Sequence, residues 1–409
     1  MSEFENERYR EELNRTIGHT IGIEELAGKT VLVTGATGEI GGFIIDVLMQ
    51  FNADLLSREN GLVPCGGFIR IIACGRDVEK LQRRFAHWQQ SDDGDVACES
   101  KLLEFVRYDM LEEIRDDFVK NSVDHVIHAA GNAYPSAFVN NPEETVKGNV
   151  FGTVRLMDFA AKHGCKKFLY VSSGEVYSVE DKIKDTFSGK IEELLRQTRG
   201  SGKGIEVVAE SLCELVLQNV REFGPRSSYP LSKVAAETLC MSEVTDGACC
   251  ENGNPSSEAA PMECVVARLC HTFGPGAKKT DDRAHAEFAR KAAAGEEIVL
   301  NSAGSQLRSY NYIVDSASGI LSVLINGENH EAYDICSPGN TVTIRELAGL
   351  FAKAGGTEVV VKEPDEKQKA LQSPISKQVL DSSKLEALGW SKAYELEDAV
   401  RNYVKILRG

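Results

Sequence analysis

The stretch TVLVTGATGEIGGFIIDVL, Thr30 to Leu48, constrains this chain more than any other. Its β-branched run reads as a buried strand, stops at Gly35, and resumes with apolar residues at helical spacing through Ile40, Ile44, Ile45 and Leu48. Strand, glycine turn and helix in that order make the first βα unit of an open parallel sheet. Gly35, Gly38 and Gly41 recur every third residue. Glycine lets the backbone turn sharply and approach a ligand with no Cβ in the way. The following helix aims free N–H groups and its dipole at an anion. With Thr37, Glu39 and Ile40, these glycines form a candidate pyrophosphate loop. The spacing differs from the commonest dinucleotide fingerprint, and a ligand-free turn uses the same residues.

The alternation continues. FIRIIACGR, LLEFVRYD, VDHVIHAAG, KKFLYVSSGEVYS and ECVVARLC read as further buried strands, separated by helical patterns such as Pro142–His163. This predicts an α/β chain with a doubly wound parallel Rossmann-type sheet. After about residue 271 the pattern loosens into short strands and helices, including EAYDIC. That is the mark of a smaller, mixed C-terminal lobe closing over the sheet's carboxyl edge. The expected division is a polar helical extension at 1–29, a dinucleotide-binding domain at 30–270 and the lobe at 271–409. Two insertions interrupt the domain, at 180–226 and 244–262. The first has helical periodicity and a position suited to a pocket lid; the second is polar and reads as a surface excursion.

A formal charge of −16 argues against nucleic acid or an anionic membrane as partner. No apolar run approaches the roughly eighteen residues that span a bilayer, and the charged N-terminus MSEFENERYREELNR is not a secretory signal. The 11 cysteines are scattered without a C-x-x-C pair, which points to free thiols in a reducing cytoplasm rather than disulfides or a metal site.

In SSYPLSKVAAET, Tyr229 and Lys233 are one helical turn apart and share a face. Alone, the pair also suits an ordinary solvated helix. The second strand ends in ACGRD, where an acid usually holds the adenosine ribose. Gly75 stands in its place. Arg76 is suited to stack on adenine or receive a 2′-phosphate and Asp77 to reach the ribose, so NAD and NADP both stay open. Asp109, followed by Met110, is placed to meet the adenine amino group or to cap a helix.

From Thr30 to its end, the chain resembles the extended short-chain dehydrogenase/reductases, in the NAD-dependent epimerase/dehydratase family acting on nucleotide sugars. The resemblance rests on an ordered set: TGATGEIG, HAAGNAYP, NVFGT, YVSSGEVYS, YPLSK, RLCHTFGPG and GSQLRSYNYIVD. Within the family it is most similar to UDP-glucuronate decarboxylases and dTDP-glucose 4,6-dehydratase-like proteins of polysaccharide biosynthesis. The resemblance implies NAD, a substrate that is UDP-linked, with the C-terminal lobe as the nucleotide-sugar-binding part, and catalytic roles for Ser173, Tyr229 and Lys233. It also puts Ala129, Ala130 and Gly131 against the cofactor, with His128 structural. Tyr134, His271 and Arg283 fall among the substrate contacts; His271 stands where the family has asparagine. Lys233 and the nicotinamide ring are expected to lower the Tyr229 pKa from roughly 10. Tyr229 then takes the sugar 4-hydroxyl proton while C4 gives up hydride.

Chemistry beyond the 4-keto stage turns on the neighbours. Dehydratases have Asp-Glu after the catalytic hydroxyl, and decarboxylases have serine before the glutamate plus an arginine matching Arg308. This chain has Gly174, Glu175 and Arg308. The missing aspartate argues against 4,6-dehydration, and decarboxylation and 4-epimerisation remain as equals. An NADP-dependent reductase and a non-catalytic dinucleotide sensor are the alternatives. Relatives pair the helices carrying NVFGT and YPLSK across a two-fold axis, which implies a homodimer.

Overall fold

Thr30–Thr34 (β1) is buried along its whole length and pairs in parallel with a strand on each side. This is what a run of β-branched residues with no polar alternation requires. The computed structural model describes residues 4, 6–58, 67–89, 102–115, 117–120, 122–198, 205–242, 261–363 and 375–409. The remaining strands in chain order are β2 Arg70–Gly75, β3 Leu103–Arg107, β4 His125–His128, β5 Lys167–Ser173, β6 Glu263–Leu269, β7 His271–Phe273, β8 Ile298–Leu300, β9 Leu307–Tyr312, β10 Glu331–Ile335, β11 Thr341–Thr343, β12 Val359–Val361 and β13 Lys377–Gln378. The central sheet has seven parallel strands in the order β10-β6-β5-β4-β1-β2-β3. Strand order reverses beside β1, so the carboxyl ends of β1 and β4 open a crevice there.

The helices are α1 Glu7–His19, α2 Glu39–Arg58, α3 Val78–Arg84, α4 Pro135–Asn140, α5 Pro142–Lys162, α6 Asp181–Thr198, α7 Ile205–Phe223, α8 Ser228–Cys240, α9 Ala284–Ala294, α10 Ile313–Asn326, α11 Ile344–Gly355, α12 Ser383–Glu386 and α13 Leu396–Arg408. One core lies on the α2/α10 side of the sheet and a second on the side of α5 and α8. Small mixed sheets, β7 and β13 on β9 with β11, and β8 with β12, form the lobe over the crevice. Strand β10, which falls in the segment read as part of the lobe, instead pairs in parallel with β6 and completes the main sheet. Its sequence carries no long apolar run because only its second half is buried.

Three other expectations change. The extension read as a polar leader is the helix α1, and it buries Tyr9, Glu12, Leu13 and Thr16. Tyr9 donates to Asp46 of α2 at 2.6 Å, and Glu12 accepts from Tyr394 at 2.9 Å. The helix α2 is long and apolar enough to cross a membrane. Asp46 and Asn52 break the apolar run that a sequence scan looks for. In the fold, Phe43, Ile44, Ile45, Val47 and Leu48 are wholly buried against the sheet and its covering helices.

The 180–226 insertion is not a lid. It forms α6 and α7, which pack on each other and along α5 and α8. Phe187, Ile191 and Leu194 of α6 and Leu212, Val216 and Val220 of α7 join Val146, Val150 and Val154 of α5 and Leu231, Val234 and Leu239 of α8 in one apolar cluster. The helices expected to meet a second copy therefore meet α7 and α6 of their own chain. The 244–262 insertion lies outside the described residues, apart from its last two.

Candidate active site

The turn after β1 is the tightest part of the crevice. Gly35 has φ +69°, and a Cβ there would lie 2.6 Å from the Ala129 carbonyl oxygen. A Cβ on Gly41 would lie 2.7 Å from the Gly35 oxygen. Both positions therefore exclude any side chain. Gly38 donates its N–H to the Gly35 carbonyl at 2.8 Å, and α2 begins one residue later. His128 secures the neighbouring strand end: its Nδ1 lies 2.8 Å from Thr34 Oγ1, which accepts from the Ala130 N–H at 3.1 Å.

A cavity of about 390 Å³ extends from Ile40 and Ala129–Gly131 past Ser173, Tyr229 and Lys233 to His271, Arg283 and Arg308. Three separate elements supply its chemical groups: Ser173 ends β5, Tyr229 and Lys233 sit in the first turns of α8, and Arg308 lies on β9. The Ser173 hydroxyl bonds to that of Tyr229, whose ring stacks on Phe138 with centroids 5.1 Å apart. Lys233 is 4 % exposed and donates to the Val171 carbonyl at 2.9 Å. Its ammonium lies 5.8 Å from the Tyr229 ring centroid and 4.6 Å from that of Tyr170.

These surroundings set the protonation states. Burial, then the Glu175 carboxylate, push the Tyr229 phenol up to about 12, against the Ser173 hydrogen bond. The Lys233 ammonium is turned to the Val171 carbonyl, and the lowering expected of it is joint with a bound nicotinamide ring. Burial pulls Lys233 itself down to about 8, with Glu237 and Cys240 opposing. Burial also pulls His271 down to about 3, helped by Arg308 and Arg283, so its imidazole is neutral and partners Gln378.

Glu175 is raised by burial and restrained by Arg226 and Arg308. Arg226 donates to it at 3.3 Å. Arg308 is anchored to backbone, to the Leu307 oxygen at 2.9 Å and the Ile375 oxygen at 2.5 Å. Two guanidinium groups thus face one carboxylate at this end of the cavity. Gly174 lies beside them, and a Cβ on it would come within 2.7 Å of Leu380. The Leu380 side chain thus lies where a side chain on residue 174 would begin.

Other expected site residues lie at the margins. Arg283 bonds Glu39 at 2.7 Å and Asp281 at 2.5 Å, tying the lobe to the start of α2. The Tyr134 ring lies 5.5 Å from both the Arg283 and Lys278 cations, and its neighbours Ala133 and Pro135 build the cavity wall. Met110 packs against α5, where a Cβ on Gly152 would touch it at 2.7 Å. Asp109 caps its own turn by accepting from the Leu111 N–H at 3.0 Å. Arg76 is exposed, and Asp77 caps α3 through the Lys80 N–H at 3.0 Å.

The sequence reading missed Arg226, Phe138, His285, Gln378 and Leu380. Arg226 had a signal, standing three residues, almost one helical turn, before Tyr229. Leu380 had none, since β13 pairing on β9 brings it in from a distant part of the chain.

The profile of the NAD dependent epimerase/dehydratase family matches residues 31–196 and 216–336. UDP-glucuronic acid decarboxylase 1 of Xenopus tropicalis is 23% identical over 94% of this chain and 74% of its own length. UDP-glucuronic acid decarboxylase 6 of Arabidopsis thaliana is 25% identical over 90% of this chain and 86% of its own. Among solved structures, UDP-glucose 4-epimerase from Thermotoga maritima, with UDP-glucose, superposes with a TM-score of 0.61 at 20% identity, covering 93% of this chain and 98% of the epimerase. UDP-glucuronic acid 4-epimerase from Bacillus cereus, in complex with UDP-glucuronic acid and NAD, gives a TM-score of 0.61 at 16% identity, covering 93% and 99%.

Proposed function

The chain belongs to the NAD dependent epimerase/dehydratase family, and on that premise we propose that it is an NAD-dependent decarboxylase of a nucleotide-linked hexuronate, with UDP-glucuronate as the first candidate. The observation that carries this reading is the meeting of two guanidinium groups, Arg226 and Arg308, at Glu175 in the cavity. A carboxylate on the substrate would accept fork-shaped hydrogen bonds from such guanidinium groups. The likeness to UDP-glucuronic acid decarboxylases points the same way.

The turn after β1 fits a dinucleotide diphosphate. Gly35 and Gly41 leave no room for side chains, and α2 begins beside them, bringing a helix N-terminus to the loop. Ala129–Gly131 and Lys233 would hold the nicotinamide end, and Arg76, being exposed, would be available to stack on adenine. The bound cofactor supplies a two-electron acceptor for the C4 hydrogen and returns that hydride at the end.

The protein's own groups move the protons. Tyr229 receives the proton of the sugar 4-hydroxyl, and Ser173 hydrogen-bonds the same oxygen as it becomes a carbonyl. A buried phenol needs a nearby cation to become the base, and Lys233 is the ammonium at hand. With C4 a ketone, the 6-carboxylate is β to a carbonyl. Breaking the C5–C6 bond releases carbon dioxide and leaves the electron pair in a 4-enolate, which Ser173 and Tyr229 stabilise by hydrogen bonding. Glu175, whose carboxyl burial raises against the pull of Arg226 and Arg308, would pass a proton to C5, and Arg226 and Arg308 would orient the departing carboxylate. Action in a reducing compartment such as the cytoplasm fits the seven described cysteines, all free and buried.

4-Epimerisation of the same hexuronate is the second reading. It is favoured by one observation: Gly174 offers no hydroxyl beside Glu175, and Leu380 closes that space. Incubating the protein with UDP-glucuronate and NAD and weighing the products separates the two. Loss of one carbon dioxide means decarboxylation. Unchanged mass with a new chromatographic peak means epimerisation. Unaltered substrate across a panel of nucleotide hexuronates would overturn both.

A further inference from the structure

The α6–α7 hairpin has two faces of opposite character. Its inner face is apolar and buried along α5 and α8, with Leu212 and Val216 at the seam against helices carrying Val150 and Val234. Its outer face carries Asp185, Glu192, Glu193, Glu210, Glu214 and Gln218, all exposed. Several outer charges pair along the hairpin itself, as Arg221 does with Glu214 at 2.6 Å. An amphipathic helix buries its apolar stripe wherever a matching stripe is available. Here both stripes are consumed inside one chain, and the new surface is solvated.

We propose that the α6–α7 hairpin takes the place of a second copy of this chain at the α5/α8 face, closing that face to self-association. α5, α7 and α8, with α6 alongside, form a helical bundle whose core is complete without a partner. A second copy would have to dock on the charged outer side of α6 and α7, where desolvating the carboxylates is unfavourable. The occupants of the face are α6, Asp181–Thr198, and α7, Ile205–Phe223, attached beside the cavity through Glu175 before the first and Arg226 after the second. Closure by a tethered segment is independent of protein concentration.

Sedimentation equilibrium and amide hydrogen exchange on the full chain test this together. The expected result is a particle of one chain's mass, 44.7 kDa, with exchange in α5 and α8 unchanged as concentration rises. A two-chain particle whose added protection falls elsewhere also leaves the face closed. A two-chain particle in which added protection falls on α5 and α8 overturns the proposal. In the full-length variant Leu212→Asp/Val216→Asp, exchange in α5 and α8 should rise by roughly tenfold or more as the seam opens. Unchanged exchange there would mean the hairpin does not cover the face. If the variant does not fold, the concentration series on the unaltered chain still decides.

Discussion

Burial and Glu175 hold the Tyr229 phenol at about 12, while burial brings the Lys233 ammonium to about 8. Each shift favours the neutral form in the groove. Replacing Tyr229 with phenylalanine keeps the stack on Phe138 and removes only the proton acceptor. Turnover should fall by roughly 10²- to 10⁴-fold, with nucleotide-sugar binding by calorimetry little changed. Undiminished turnover would strip Tyr229 of its role. Gly174 makes a second residue-level prediction. Serine there meets Leu380, and overpacking of this kind costs about 1–3 kcal/mol. Gly174→Ser should therefore lower the melting temperature, and Gly174→Ser/Leu380→Ala should recover it. If the single substitution is neutral, Leu380 does not fill that space.

At the scale of elements, α1 stakes its docking on a buried acid. Glu12 is raised by burial from 4.5 to about 7, although Tyr394, Arg15 and Asn402 oppose the rise. A folded value above the unfolded one means that folding favours the protonated form. The contribution is whole below the unfolded value of 4.5 and is lost as pH rises through about 7. Exchange of α1 amides, corrected for intrinsic rates, should quicken between about pH 4.5 and about pH 7 relative to the central sheet, and Glu12→Gln should flatten that dependence. A flat profile in the unaltered protein would refute the linkage. The same helix marks a limit of pattern reading. Its inward face mixes Tyr9 and Leu13 with Glu12 and Thr16, so periodicity reports a polar helix. The hydroxyl and carboxylate partners that make such burial tolerable come from α2 and from the far end of the chain.

For the whole molecule, the sheet was legible wherever one strand is an unbroken apolar run, as in β1 and β5. It was obscured at β10, whose first residues are half exposed. Ser173, Tyr229, Lys233, Glu175 and Arg308 were legible because short motifs hold them, and the fold brings all five to one cavity. Leu380 and Gln378 were not, because β13 delivers them through pairing that no local pattern announces.

The hairpin obeys a different arithmetic. Glu175 and Arg226, 51 residues apart in sequence, stand 3.3 Å from each other. An excursion whose two ends already meet adds little closure entropy however long it grows, about 0.6 kcal/mol per doubling. A lineage can acquire or shed such a segment in one genetic event and leave the reacting centre where it was.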